Sequence, residues 1–131
     1  MIRCIAVDDE PLALSLLEDN ISKLPFLGLV GTCNNCFEAM ELMQKEQTDL
    51  IFIAIQMPGM TGLQYISGLK ERPLVIFITA YSQYAVDSYD LDVVDYLVKP
   101  VPLDRFMRAC NRAKELKELK EAPNFRQTLT T

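Results

Sequence analysis

The sequence predicts a doubly wound α/β domain, a parallel sheet with helices on both faces, and three observations carry that expectation. Short apolar runs rich in β-branched residues alternate five times with helix-like segments. Three of these runs are almost unbroken in apolar residues, as strands covered on both faces require. Between them apolar residues recur every three or four positions, the spacing of a helix with one buried face. Strict alternation of strand and helix implies parallel strands joined by right-handed crossovers.

The first strand is "IRCIAV" (Ile2 to Val7), and Ala13, Leu16, Leu17, Ile21 and Leu24 mark the buried face of the helix after it. "LGLVGTC" (Leu27 to Cys33) is the second strand, followed by a helix carrying Cys36, Ala39, Met40 and Met43 inward. The third, "LIFIA" (Leu50 to Ala54), runs into "IQMPGMTG", where Pro58, Gly59 and Gly62 punctuate a turn into the next helix. "LVIFIT" (Leu74 to Thr79) and "VVDYLV" (Val93 to Val98) are the fourth and fifth strands. The last helix presents Leu103, Phe106, Met107 and Cys110 to the core and continues through "RAKELKELKEA" with a solvated Lys/Glu face. It must stop before Pro123. Residues 1–120 are expected to form the domain, and 121–131 a linker or disordered tail.

The 131 residues, half of them hydrophobic, suit one domain with a sizeable core. Thirteen basic against eighteen acidic residues give a net charge of −5, which repels a phosphate backbone, so this segment is not expected to contact nucleic acid directly. No apolar run approaches the ~20 residues of a membrane span, and the N-terminus has no signal-peptide pattern. A cytoplasmic protein without membrane contact is expected. Its four cysteines then read as reduced thiols. The absence of histidine removes Ser/His/Asp and Cys/His catalysis, histidine metal ligands and phosphohistidine.

In open α/β sheets ligands bind outside the carboxyl ends of the strands. There, Asp8 and Asp9 follow the first strand, ahead of Glu10 and Pro11. Two such acids can cap the next helix, and they are equally hard oxygen ligands of the kind magnesium takes. Thr79 ends the fourth strand, and Lys99 with Pro100 follows the fifth. Two carboxylates, a hydroxyl and an ammonium around one gap are what a magnesium-dependent phosphoryl acceptor needs, with a nucleophilic carboxylate between them. At that place the third strand ends in Ala54.

The segments "IRCIAVDDEPLAL", "DLIF", "IQMPGMTG", "FITAYSQYA" and "DVVDYLVKP", in this order from about Ile2 to Ala113, resemble the receiver domain of two-component response regulators, of the kind joined to a LytTR DNA-binding domain. The resemblance implies a flavodoxin-like three-layer sandwich with strand order 2-1-3-4-5, and a signalling switch with no enzymatic activity. It makes Asp8 and Asp9 the magnesium pair, with Gln56 a ligand through its backbone carbonyl. Thr79 and Lys99 become the phosphoryl-sensing hydroxyl and ammonium, and Tyr96 the switch aromatic. It also implies a sensor histidine kinase as phosphodonor, and a homodimer face built from the family's helix four, strand five and helix five. The family's phospho-accepting aspartate corresponds to Ala54, whose methyl has no nucleophilic atom, so magnesium binding is expected to be weak or absent. The remaining pocket residues keep the family pattern, which favours an engineered or recent loss over a natural pseudo-receiver acting through protein contacts.

Three further features bear on function. "CNNC" (Cys33 to Cys36) has the spacing of a redox dithiol, but Cys36 falls on the apolar face of its helix, which favours incidental cysteines. Tyr81, Tyr84, Tyr89 and Leu91 gather aromatic surface suited to an interface. A flavodoxin-like cofactor site is disfavoured because acids, in place of a glycine-rich phosphate loop, follow the first strand.

Overall fold

The computed structural model describes residues 1–81 and 91–121. Strands β1 (Ile2–Val7), β2 (Leu27–Cys33), β3 (Leu50–Ala54), β4 (Leu74–Thr79) and β5 (Asp95–Val98) form one five-stranded parallel sheet in the order β2-β1-β3-β4-β5. Helices α1 (Pro11–Ser22), α2 (Cys36–Lys45), α3 (Gly62–Ser67) and α4 (Leu103–Glu121) connect and flank it. The expected flavodoxin-like fold and strand order are those observed.

Two cores follow from the two-residue period of a strand. Cys4 and Ala6 of β1, Leu50 and Phe52 of β3, and Ile76 and Ile78 of β4 point to one face, under Leu14, Leu17 and Ile21 of α1 and Phe106, Ala109 and Cys110 of α4. Ile5 and Val7, Ile51 and Ile53, and Val75 and Phe77 point to the other, under Cys36 and Ala39 of α2 and Tyr65 and Ile66 of α3. Phe52 stacks on Phe106 with ring centroids 5.4 Å apart, joining sheet to α4.

Helices α2 and α3 are started by side chains that satisfy their first backbone donors. Asn35 caps α2 by accepting from Glu38 N, while Glu38 accepts from Asn34 N. Thr61 and Gln64 form a reciprocal capping box on α3. The second asparagine of "CNNC" is thus explained by capping, whereas the first contributes only its backbone N–H.

The apolar spacing misassigned parts of two helix faces. Leu14 is buried in α1, whereas Leu16 is 60% exposed; on α4 Leu103 and Met107 also face outward. Met40 and Met43 of α2, by contrast, are partly buried and pack against the second core as expected. With leucine at positions 12, 14, 16 and 17, spacing alone fits more than one face, and packing against β1 selects Leu14 and Leu17. β5 is also shorter than its apolar run. Val94 N donates to Val75 O at 2.8 Å, but the ladder begins at Asp95, opposite Ile76. Helix α4 continues through Glu121, one residue into the expected tail. The rest of that tail, and Tyr84 and Tyr89, lie outside the described residues. Among the described residues no helix is long and apolar enough to cross a membrane.

The loop after β3 is held against its own strand. Gly62 N donates to Ile55 O at 2.8 Å, and a Cβ on Gly62 would lie 2.2 Å from Ala54 O. Gly59 adopts φ +86°, the left-handed region that favours glycine. Gly62→Ala is expected to lower stability by about 1–3 kcal/mol, the cost of overpacking against backbone. Urea denaturation of the two chains measures it, and an unchanged midpoint would show that the loop relaxes freely.

Candidate functional site

A cleft of about 430 Å³ opens at the carboxyl edge of the sheet, lined by Asp9, Glu10, Ala54, Gln56, Thr79 and Lys99 among others. Asp8 sits beneath it, only 3% exposed. The sequence-predicted residues Asp8, Asp9, Gln56, Thr79 and Lys99 therefore converge with Ala54.

Asp8 is fixed by both backbone and side chain. Its N–H extends the sheet by donating to Cys33 O at 3.1 Å, and its Oδ1 accepts from Glu10 N at 3.0 Å. Helix α1 instead has Glu10 at its N-cap with no side-chain cap bond and Pro11 in its first turn. Capping is thus not what the acids do. Oδ2 of Asp8 accepts from Lys99 Nζ at 2.9 Å, and Glu10 Oε1 lies 3.2 Å from the same ammonium. Burial alone would push the Lys99 ammonium down, but the bonds to Asp8 and Glu10 outweigh it and raise it above the usual lysine value.

Thr79, 4% exposed, has its backbone and hydroxyl both engaged. Its carbonyl accepts from Lys99 N at 2.7 Å, and its Oγ1 accepts from Tyr81 N at 3.1 Å. Lys99 is joined to Pro100 by a cis peptide bond. Tyr96 lies one turn of the pleat away from the edge, half-buried and stacked on Phe77 at 5.3 Å.

The sequence reading missed two partners. Glu10 contributes to the acidic group: one carboxylate oxygen each from Asp8, Asp9 and Glu10 lie within 4.8 Å of one another. This donor set, all hard oxygens, fits a small divalent cation. Such an ion would compete with Lys99 for Asp8. Asp95 and Arg105 form the second unforeseen pair, a two-pronged contact of 2.7 and 2.8 Å between β5 and α4. Burial tends to raise the Asp95 carboxyl, but hydrogen bonds from Arg105 and from the Tyr96 N–H hold it below the ordinary value. The signal was the i, i+10 spacing across a strand-to-helix turn, which has no periodic signature in the sequence.

The cysteines are poor redox candidates. Burial pushes the Cys33 and Cys36 thiols up to about 11, and Cys36 Sγ donates to the carbonyls of Met60 and Thr61. Helix α2's N-terminus does not overcome desolvation there.

Strand order and the convergence of acids, hydroxyl and lysine at one sheet edge define a receiver domain. Residues 4–111 match the response regulator receiver domain family, and the chain belongs to that family. It is 36% identical over 117 residues to a response regulatory protein of Shewanella oneidensis, covering 88% of this chain and 50% of that protein. It is 34% identical over 117 residues to the transcriptional regulatory protein BtsR of Salmonella typhi, covering 88% and 49%. The chain thus spans about half the length of these curated relatives. Among solved structures, the response regulatory domain of mrkE from Klebsiella pneumoniae superposes with a TM-score of 0.81 at 28% identity, covering 89% of this chain and 98% of that one. TrrA from Thermotoga maritima, in complex with Mg2+ and BeF, superposes with a TM-score of 0.76 at 28% identity, covering 86% and 99%.

Two stability effects are expected. Lys99→Met leaves the buried Asp8 carboxylate without its cation and should cost about 2 kcal/mol at neutral pH. Chemical denaturation reads the loss, and a cost below about 0.5 kcal/mol would show that Asp8 finds other partners. Because the folded Asp95 value is lowered, its pairing stabilises the fold fully above the ordinary carboxylate value of about 3.9 and is lost as pH falls through the lowered value. Arg105→Gln should therefore destabilise by about 1 kcal/mol at pH 7, discounted for partial exposure, with the two melting curves converging in acid. A gap that persists unchanged at low pH would assign Arg105's role to packing.

Proposed function

We propose that this chain is the receiver half of a cytoplasmic LytTR-type transcriptional regulator whose phospho-acceptor position is vacant. The observation that carries the reading is Ala54. It ends β3 in register with Ile78 and lines the cleft with Asp9, Thr79 and Lys99, yet carries only a methyl group. Aspartyl phosphate cannot form there.

In a chain bearing aspartate at this place, a sensor histidine kinase would supply the phosphoryl group. Thr79 and Lys99 would bind its oxygens, and Tyr96 would respond by repacking. Asp8, Asp9 and the Gln56 carbonyl would hold Mg2+, which supplies charge neutralisation for phosphoryl transfer; the TrrA structure with Mg2+ and BeF supports that assignment by likeness. Without the aspartate the ion has lost one carboxylate, and Lys99 answers the charge of Asp8 and Glu10 instead. The transcriptional role rests on the name of the BtsR relatives.

A second reading is favoured by the surface. Val98 of β5 and Leu103 and Met107 of α4 are 41%, 39% and 39% exposed, apolar area on the side of the sheet where the family's homodimer face would form. A pseudo-receiver acting through such contacts, independent of phosphorylation, uses the same fold. The segment corresponding to the family's fourth helix lies outside the described residues.

The deciding comparison is between this chain and Ala54→Asp, each incubated with magnesium and a small-molecule phosphodonor and weighed intact. Only the Asp variant is expected to gain an acid-stable, base-labile phosphate. Calorimetry should show it binding Mg2+ about tenfold tighter or more, and it should melt lower in metal-free buffer because a further acid joins Asp8, Asp9 and Glu10. If neither chain is phosphorylated, the vacant-receiver reading fails and the contact-mediated one gains.

A further inference from the structure

Charge in the cleft is lopsided. Asp8, Asp9 and Glu10 bring one carboxylate oxygen each to within 4.8 Å of one another, and Lys99 is the cation paired with Asp8 and Glu10. Three acids against one ammonium leave the cleft net negative, so by itself it repels a free anion. A divalent cation on the acids reverses this. It takes Asp8 from Lys99, whose side chain is only 24% exposed, and a partly buried ammonium that loses a carboxylate needs another acceptor.

An ammonium has three donors, and Asp8 and Glu10 engage two of them, at 2.9 and 3.2 Å. The third, together with the one released from Asp8, is left for a ligand in the cleft that Lys99 lines. On the same wall the nearly buried Ala54 ends β3 with a methyl group, and the cleft of about 430 Å³ leaves room for several non-hydrogen atoms beside it.

The charges select the anion. Three carboxylates, one ammonium and a divalent cation sum to no net charge, so a monocarboxylate adds one negative charge where phosphate adds up to two. A carboxylate is also flat and offers two oxygens, one for an ammonium and one for a cation.

We propose that the cleft binds a small monocarboxylate together with a divalent cation, the carboxylate seated against the Ala54 methyl with one oxygen on Lys99 Nζ and the other toward the cation. Such binding presupposes that position 54 is the vacated acceptor place, as proposed above. Each ligand then tightens the other by the same factor. The silent domain thereby has an input, the concentration of short carboxylic acids, that needs no covalent chemistry.

Calorimetric titration of Mg2+ into the 131-residue chain, in sodium chloride or in sodium formate at equal ionic strength, tests the linkage. Formate is expected to raise the Mg2+ affinity about tenfold, less than a tethered carboxylate would, because a free ligand must also be immobilised. By NMR the Ala54 methyl should shift saturably with formate when Mg2+ is present and stay in place with EDTA. Inorganic phosphate should move it less. Ala54→Asn fills the place with a neutral group of aspartate's shape and should lose the formate effect, whereas Ala54→Asp should bind Mg2+ equally in chloride and formate. The proposal is overturned if formate changes neither the Mg2+ affinity nor the Ala54 methyl, if its effect survives in Ala54→Asn, or if phosphate outcompetes it. Failure of the reading of position 54 shows separately, as an Ala54→Asp chain that in chloride binds Mg2+ no tighter than this one.

Discussion

A sheet buried on both faces leaves charge nowhere to go except the strand ends, and that constraint organises this domain. From Cys4 to Val7, from Leu50 to Ile53 and from Val75 to Phe77 every side chain is apolar and essentially inaccessible. An unpaired polar group there would pay its full desolvation penalty. Among the described residues the buried polar side chains, Asp8 and Thr79, come one residue after β1 and at the last residue of β4. Each is satisfied by backbone or by Lys99, so hydrophobic burial and the chemistry of the cleft are two results of one pattern.

β5 shows how the same constraint acts at an edge. It has one neighbour, β4, and only four residues, with Leu97 alone fully buried among them. What burial does not supply, charge does. Arg105 clamps Asp95 at one end, and Lys99 reaches from the other to Asp8 across the width of two strands. An edge strand fastened by ion pairs responds to the charge of the cleft more directly than one fastened by apolar contact, since adding or removing an anion changes what Lys99 faces.

The strands were legible because apolar runs bounded by polar residues have few alternative readings: β1 to β4 start and end where those runs do. The site was legible for the same reason, since topology assigns ligands to residues that follow the runs. Helix faces were less so. Leu12, Leu14, Leu16 and Leu17 crowd α1 with more apolar residues than one face can hold, and only the position of β1 and β2 decides among them. The pairs Asp95–Arg105 and Lys99–Glu10 depend on distances between elements that local spacing does not encode. They had to be seen folded.

The close approach at Gly62 bears on how such a domain changes over generations. At the end of β3 it is the carbonyl of Ala54, a main-chain atom, that faces Gly62, so the closest approach of loop to strand is made by backbone and not by the side chain at position 54. Every aspartate codon lies one base from an alanine codon. A substitution at position 54 therefore leaves the tightest backbone contact of this loop in place, and a lineage can exchange the residue that ends β3 without rebuilding the turn behind it.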